Sequence, residues 1–245
     1  MSIAVCHSSA LELLRGVPPQ MRLYPRVEET LETSSVSTDP RHLREADLRQ
    51  FGVSRAQLHV MVGASSRQIR QPDVKTHRFG LPEIPGGLLL ELSAGVYAAG
   101  PELCFIQMAR QTSLVGALAL GCELCGRYSH FPLLVSGYYE RPPLTSTERI
   151  GSAIVSLSGL YGLCRAREAL RWVLDGALSP METVLAGEFF LPGRHQGLAF
   201  ATSPACRRSR ASRMSPRTRA VRILPWSRGS LPIRWSPATC SMGIA

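Results

Sequence analysis

Apolar and polar positions along the chain alternate in short stretches, most of them closed by glycine or proline. Ser9-Ala-Leu-Glu12 has the spacing of a capping box, in which the hydroxyl accepts from the third helical amide and the carboxylate reaches back; it predicts a short helix closed by Gly16. Residues 28–40 read as a polar loop, and residues 43–52, with Leu43, Ala46, Leu48 and Phe51 apolar, as a weak helix stopped by Gly52. The next window has two readings. A helix-turn-helix takes Gly52-Val-Ser54 as its turn and residues 55–62 as a recognition helix offering Arg55, Gln57 and His59 to base edges. A strand puts Leu58, Val60 and Val62 on one face, and the shortness of the window, its two valines and Gly63 favour that strand.

Further strands are predicted at residues 74–79, 88–92 and 95–99. Pro101-Glu102 opens a helix to about residue 110, since proline loses no needed donor at the first turn and a carboxylate suits the positive end of the dipole. A second helix begins near Ser113, carries Val115, Leu118, Cys122 and Cys125 on one apolar face, and closes at Gly126. Residues 128–143 form an aromatic, proline-rich stretch, and residues 146–160 are helical in part. Leu163, Ala166, Leu170, Val173 and Leu174 describe an amphipathic helix ending at Gly176; Ser179-Pro-Met-Glu182 is a capping box for a helix running towards Phe190. The fold class expected is α+β, a small mixed sheet with packed helices followed by a disordered C-terminal tail. The divisions are an N-terminal helical segment (1–56), an α+β middle domain (57–176), the first helix of a further, truncated domain (177–200) and the tail (201–245).

Composition sharpens the last division. At 245 residues, 44% hydrophobic and 19% charged, the chain is long enough to bury a core. Its net charge of +10 suggests nucleic acid, but all 18 acids and 18 of the 28 bases lie in residues 1–188, and the other ten bases are arginines beyond them. Residues 201–245 contain no Asp, Glu, Lys, Asn, Gln, His, Phe or Tyr and show no helical or strand period, so they are expected to be disordered. The chain has one lysine, Lys75, and no asparagine, the two residues with AA-starting codons, which points to a GC-rich gene. Such DNA read out of frame yields Arg, Pro, Ser, Ala and Gly, so the tail has the composition of a frameshifted readout.

No run approaches the roughly 20 apolar residues of a membrane helix, the first residues lack a basic signal-peptide region, and seven cysteines without framework spacing fit reduced thiols. A cytoplasmic protein without membrane contact is expected. Cys122-x-x-Cys125 has no second ligand pair for a structural zinc, and its place on an apolar face favours core packing over metal or redox chemistry. Cys104, Cys164, His7, His77 and His130 are scattered along the chain, so no metal centre is expected; His59 and His77 read as half-buried imidazoles with hydrogen-bond partners. The hydrolase, phosphate-loop and dinucleotide motifs are missing from the sequence.

Several segments together carry a resemblance: Leu58-His-Val-Met-Val62, Ser66-Arg67-Gln-Ile-Arg70, Val74-Lys-Thr-His-Arg78, residues 88–92 and Gly95-Val-Tyr-Ala-Ala-Gly-Pro-Glu-Leu-Cys-Phe-Ile-Gln-Met-Ala109. In this order they resemble the middle region of bacterial AbiEi-like proteins, which share it with proteins ending in a very-short-patch-repair-like PD-(D/E)xK endonuclease domain. His7-Ser-Ser-Ala-Leu-Glu-Leu-Leu-Arg15 is similar to the opening helix of that group, and Leu178-Ser-Pro-Met-Glu-Thr-Val-Leu185 to the segment where the nuclease begins; the resemblance covers about residues 5–195. It implies a Mg²⁺ site built from a helix carboxylate, an Asp and an acid-x-Lys pair. Glu182 matches the first position as a catalytic remnant, although a capping box wants Glu there too. No acid lies beyond Glu188 and Lys75 is the sole lysine, so the resemblance implies a chain truncated before its catalytic core, without nuclease activity and with no cofactor as it stands. The alternative is a DNA-binding, antitoxin-type regulator using the helix-turn-helix near residues 44–62. Arg207, Arg208, Arg210, Arg213, Arg217 and Arg219 would bind nucleic acid through phosphate neutralisation alone, without sequence readout.

Overall fold

A computed structural model describes residues 2–17, 23–36, 48–51, 53, 57–64, 73–131, 134–195 and 197–198. The tail, with Arg207, Arg208, Arg210, Arg213, Arg217 and Arg219, lies outside the described residues, as do residues 43–47 of the weak helix. The α+β class holds: among the described residues, six helices accompany a five-stranded mixed sheet.

The sheet is built on a strand that the sequence patterning did not single out. Ile3–Val5 (β1) lies at the centre, parallel to Val96–Ala99 (β7) with Val5 opposite Ala98, and antiparallel to Leu58–Gly63 (β3) with Val5 opposite Val60. Val74–Phe79 (β4) extends the sheet parallel to β3, and Leu89–Ser93 (β6) pairs antiparallel with β7 at the other edge. The N-terminal segment and the strands after residue 57 therefore share one sheet. Helical placement is overturned for residues 58–62, because Leu58–Gly63 pairs residue by residue with Val74–Phe79; residues 54–56 lie outside the described residues. β-branched side chains pack well on a pleated surface, and burying Val60 and Val62 in a sheet outweighs a weak helical preference.

Side-chain alternation gives the sheet two faces. Ala4, Met61, Phe79, Leu89 and Ala99 join the main core, while Ile3, Val60 and Val74 cluster on the other face, as do Val5, Leu92 and Ala98 with Leu48 and Val53. The main core is completed by His7–Gly16 (α1), Pro101–Ala109 (α2), Leu114–Cys125 (α3), Thr147–Ser156 (α4) and Leu163–Leu170 (α5). Leu31–Glu32 (β2) and Glu83–Ile84 (β5) form a small separate pair, so the stretch read as a polar loop contains a strand. Tyr128–His130 (β8) and Tyr138–Glu140 (β9) form a hairpin in the aromatic stretch.

The predicted capping box at Ser9 is not formed. α1 starts earlier, at His7, and the Ser9 hydroxyl instead accepts from the His59 amide of β3 at 3.0 Å. Ser113 and Ser146 do cap α3 and α4. Val115 stands 47% exposed, off the face that buries Leu118, Cys122 and Cys125. The helix expected to reach Gly176 stops at Leu170. Pro180–Phe190 (α6) starts where the sequence predicts, with the Ser179 hydroxyl accepting from the Glu182 amide, but the Glu182 carboxylate reaches one residue further back than a capping box does, to the Leu178 amide; the Tyr128 and Thr183 hydroxyls meet at 2.9 Å where the helix packs.

Two buried carboxylates tie the layers together. Glu123 of α3, 1% exposed, takes two hydrogen bonds from Arg15 at 2.8 and 2.6 Å and one from the His130 amide. Glu102 at the start of α2 accepts from Arg26 at 2.9 and 3.0 Å and from the Thr145 hydroxyl. A buried charge requires such satisfaction, since an unpaired one costs several kcal/mol, of order 3–5 when a partner is removed. Among the described residues no helix is long and apolar enough to cross a membrane.

Candidate metal centre

β1 runs into α1 with a single extended residue, Cys6, between them. The chain changes direction at His7, whose φ of 52° is the one positive value on a non-glycine among the described residues. A side chain there carries strain of roughly 1–3 kcal/mol, so the surroundings must hold it. They do so from both sides. The His7 amide donates to Gln107 Oε1 at 3.1 Å, and the Cys104 thiol donates to the His7 carbonyl at 3.6 Å, both from α2. On the β3 side, the Cys6 amide donates to the His59 carbonyl at 2.9 Å.

This corner brings a chelating set together. The parallel register of β3 and β4 sets His59 opposite Lys75 and Met61 opposite His77, so these four side chains share the face towards α1. The His7 ring stacks on His77 with centroids 3.7 Å apart, and His77 Nε2 lies 3.0 Å from His59 Nδ1. Cys6 Sγ lies 3.1 Å from His7 Nδ1. One ligand atom each from Cys6, His7 and His77 falls within 4.8 Å of the others. When His77 Nε2 donates to His59, Nδ1 keeps the lone pair, and the bond fixes the ring as partners of ligating imidazoles do.

The electrostatics leave one nitrogen of each ring without a proton. Burial, reinforced by His77, His59, Arg110 and Lys75, lowers the pKa of His7 to about 3. Burial and then His59, Lys75 and Arg110 lower His77 to about 4. Both imidazoles are therefore neutral at pH 7 and able to ligate. Burial, with Cys104 adding, pushes the Cys6 thiol well above its ordinary range, so it keeps its proton until a cation displaces it. One thiolate and two imidazoles are a borderline-soft set suited to zinc, whose catalytic sites hold three protein ligands and leave a fourth position open. A cavity of about 40 Å³ adjoins the rings, its polar lining being His7, His77, Arg78, Gln107, Arg110 and Tyr161.

The expectation of scattered histidines fails for His7 and His77, which the fold stacks together. The reading of His59 and His77 as hydrogen-bonded imidazoles holds, the bond joining them to each other. Cys122 and Cys125 are buried in the main core, as their spacing on α3 required. Glu182 is exposed on α6, its amide donating to Ser179 Oγ at 3.3 Å and its carboxylate accepting from the Leu178 amide at 2.9 Å. Cys6 and His7 were missed as ligands, although an adjacent Cys-His pair ending the apolar run Ile3-Ala-Val5 was the available signal. A larger groove of about 900 Å³ between α4 and α5 is floored by Gly151, Ile154, Leu170 and Val173, and on its rim Thr147 is hydrogen-bonded to Asp175. Compared with known proteins, the chain matches no family model, no curated protein and no solved structure.

Proposed function

We propose that this protein binds one thiophilic divalent cation, zinc in the first place, through Cys6, His7 and His77. The observation that supports this is the convergence of the three groups within 4.8 Å at a strand-to-helix corner held at a positive φ. Neutral imidazoles and a displaceable thiol proton suit the set to a cation, whose binding would turn the stacked rings until their in-plane lone pairs converge. Cobalt titration of the chelator-treated full chain is the test. One equivalent should bring up a thiolate-to-cobalt charge-transfer band that Cys6→Ser abolishes; a wild-type chain that develops no such band rules the site out.

A second reading concerns the resemblance to AbiEi-like, endonuclease-associated proteins. We infer from the order of its segments that the chain belongs with such proteins and lacks phosphodiester cleavage. In support, the Glu182 carboxylate is engaged by the Leu178 amide just ahead of its helix, and the sequence supplies no acid after Glu188 to share a Mg²⁺. In a plasmid-nicking assay with Mg²⁺ or Mn²⁺, wild type should cleave no more than Glu182→Ala. Cleavage that this substitution removes would overturn the inference.

A further inference from the structure

We infer that a small tetrahedral oxyanion of the phosphate class occupies the open position beside the metal, held by Arg110. This rests on the metal reading and names the ligand that the same site takes. The charge count favours it: a divalent ion with one thiolate and two neutral imidazoles leaves one positive charge, and Arg110 lines the adjoining cavity. Among the described residues no carboxylate lines that cavity. Arg110 is exposed, so what draws an oxyanion is its fork of donors together with the metal's remaining charge, not burial.

Arg110 is placed for the role. Its guanidinium carbon stands 4.6 Å from the centre of the Tyr161 ring, a cation–π contact that orients it. Its stem runs along Gly162, whose φ is +97°, and an added Cβ there would come within 2.9 Å of Arg110 Cδ. Among the described residues no ion pair occupies this guanidinium, so its planar fork of donors is available to an oxyanion. Gln107 is engaged on its other side, its carbonyl taking the His7 amide and its amino group lying 3.5 Å from Met61 Sδ. The cavity of about 40 Å³ has room for roughly three waters, at about 10–15 Å³ each, or for one small oxyanion in their place. Either free phosphate or the terminal phosphate of an ester has the right chemistry.

Calorimetry on the zinc-loaded full chain tests the inference, with inorganic phosphate and a nucleoside monophosphate as separate probes. Wild type should bind inorganic phosphate, and Arg110→Gln should weaken it about tenfold or more while keeping one zinc per chain. Tighter binding of the monophosphate would assign the site to esters, and equal or weaker binding to the free ion, the anion site standing in both cases. A zinc-loaded wild type that binds neither probe, or an Arg110→Gln chain that binds phosphate undiminished, overturns the anion site and leaves the metal reading intact. A wild type that takes up no zinc overturns both.

Discussion

His7 and His77 lie face to face, their ring centroids 3.7 Å apart and their planes 21° from parallel, one at the start of α1 and the other on β4. The pair stacks because β1 delivers His7 to the end of the sheet just where the parallel β3–β4 ladder presents His77. A cation held by both would couple α1 to β4, and zinc should therefore stabilise the fold. At a free zinc concentration about one hundred times Kd, unfolding should cost roughly 2.7 kcal/mol more than in chelator. Urea titration checks it: the midpoint of wild type should rise with zinc, and that of His77→Ala should stay fixed.

Glu102 makes a prediction that is independent of any metal. Burial pushes its carboxyl up, but hydrogen bonds from Arg26 and Thr145 outweigh this and hold it below the ordinary carboxylate range. A carboxylate lowered in the folded state contributes stability that is complete above its unfolded value of about 4.3 and is lost as pH falls through the folded value. Arg26→Met leaves the buried charge with less compensation and should cost about 3 kcal/mol at neutral pH. Its acid-induced loss should also begin at a higher pH than in wild type, read from urea midpoints across the acid range.

At the start of α6, Ser179→Ala should destabilise the chain by about 1 kcal/mol, because the hydroxyl that accepts from the Glu182 amide is lost. Glu182→Gln should change stability by less than about 0.5 kcal/mol, since glutamine serves equally in the box. Thermal or urea unfolding separates the two. A large loss on Glu182→Gln would show that the carboxylate does more than accept the Leu178 amide.

What could be read from the sequence was local. The strand at Val74–Phe79, the proline start of α2 and the serine caps of α3, α4 and α6 each depend on residues within one or two turns of one another. The central strand escaped because Ile3-Ala-Val5 is three residues long, too short to show a period. Ser9 was misassigned because its true partner is the His59 amide, a contact set by the tertiary fold. The candidate site was hidden for the same reason. Cys6 and His7 are adjacent, but His77 joins them only through the pairing of β1 with β3 and of β3 with β4. Neither spacing nor composition encodes that convergence.

The central claim is that Cys6, His7 and His77 form one metal site. The most direct measurement is the zinc content of the full chain by native mass spectrometry after zinc loading and desalting. Wild type and Cys164→Ser, whose exposed thiol lies outside the cluster, should each retain one zinc, and Cys6→Ser and His77→Ala should retain none. A wild-type chain that emerges without zinc, or a His77→Ala chain that keeps it, would contradict the account.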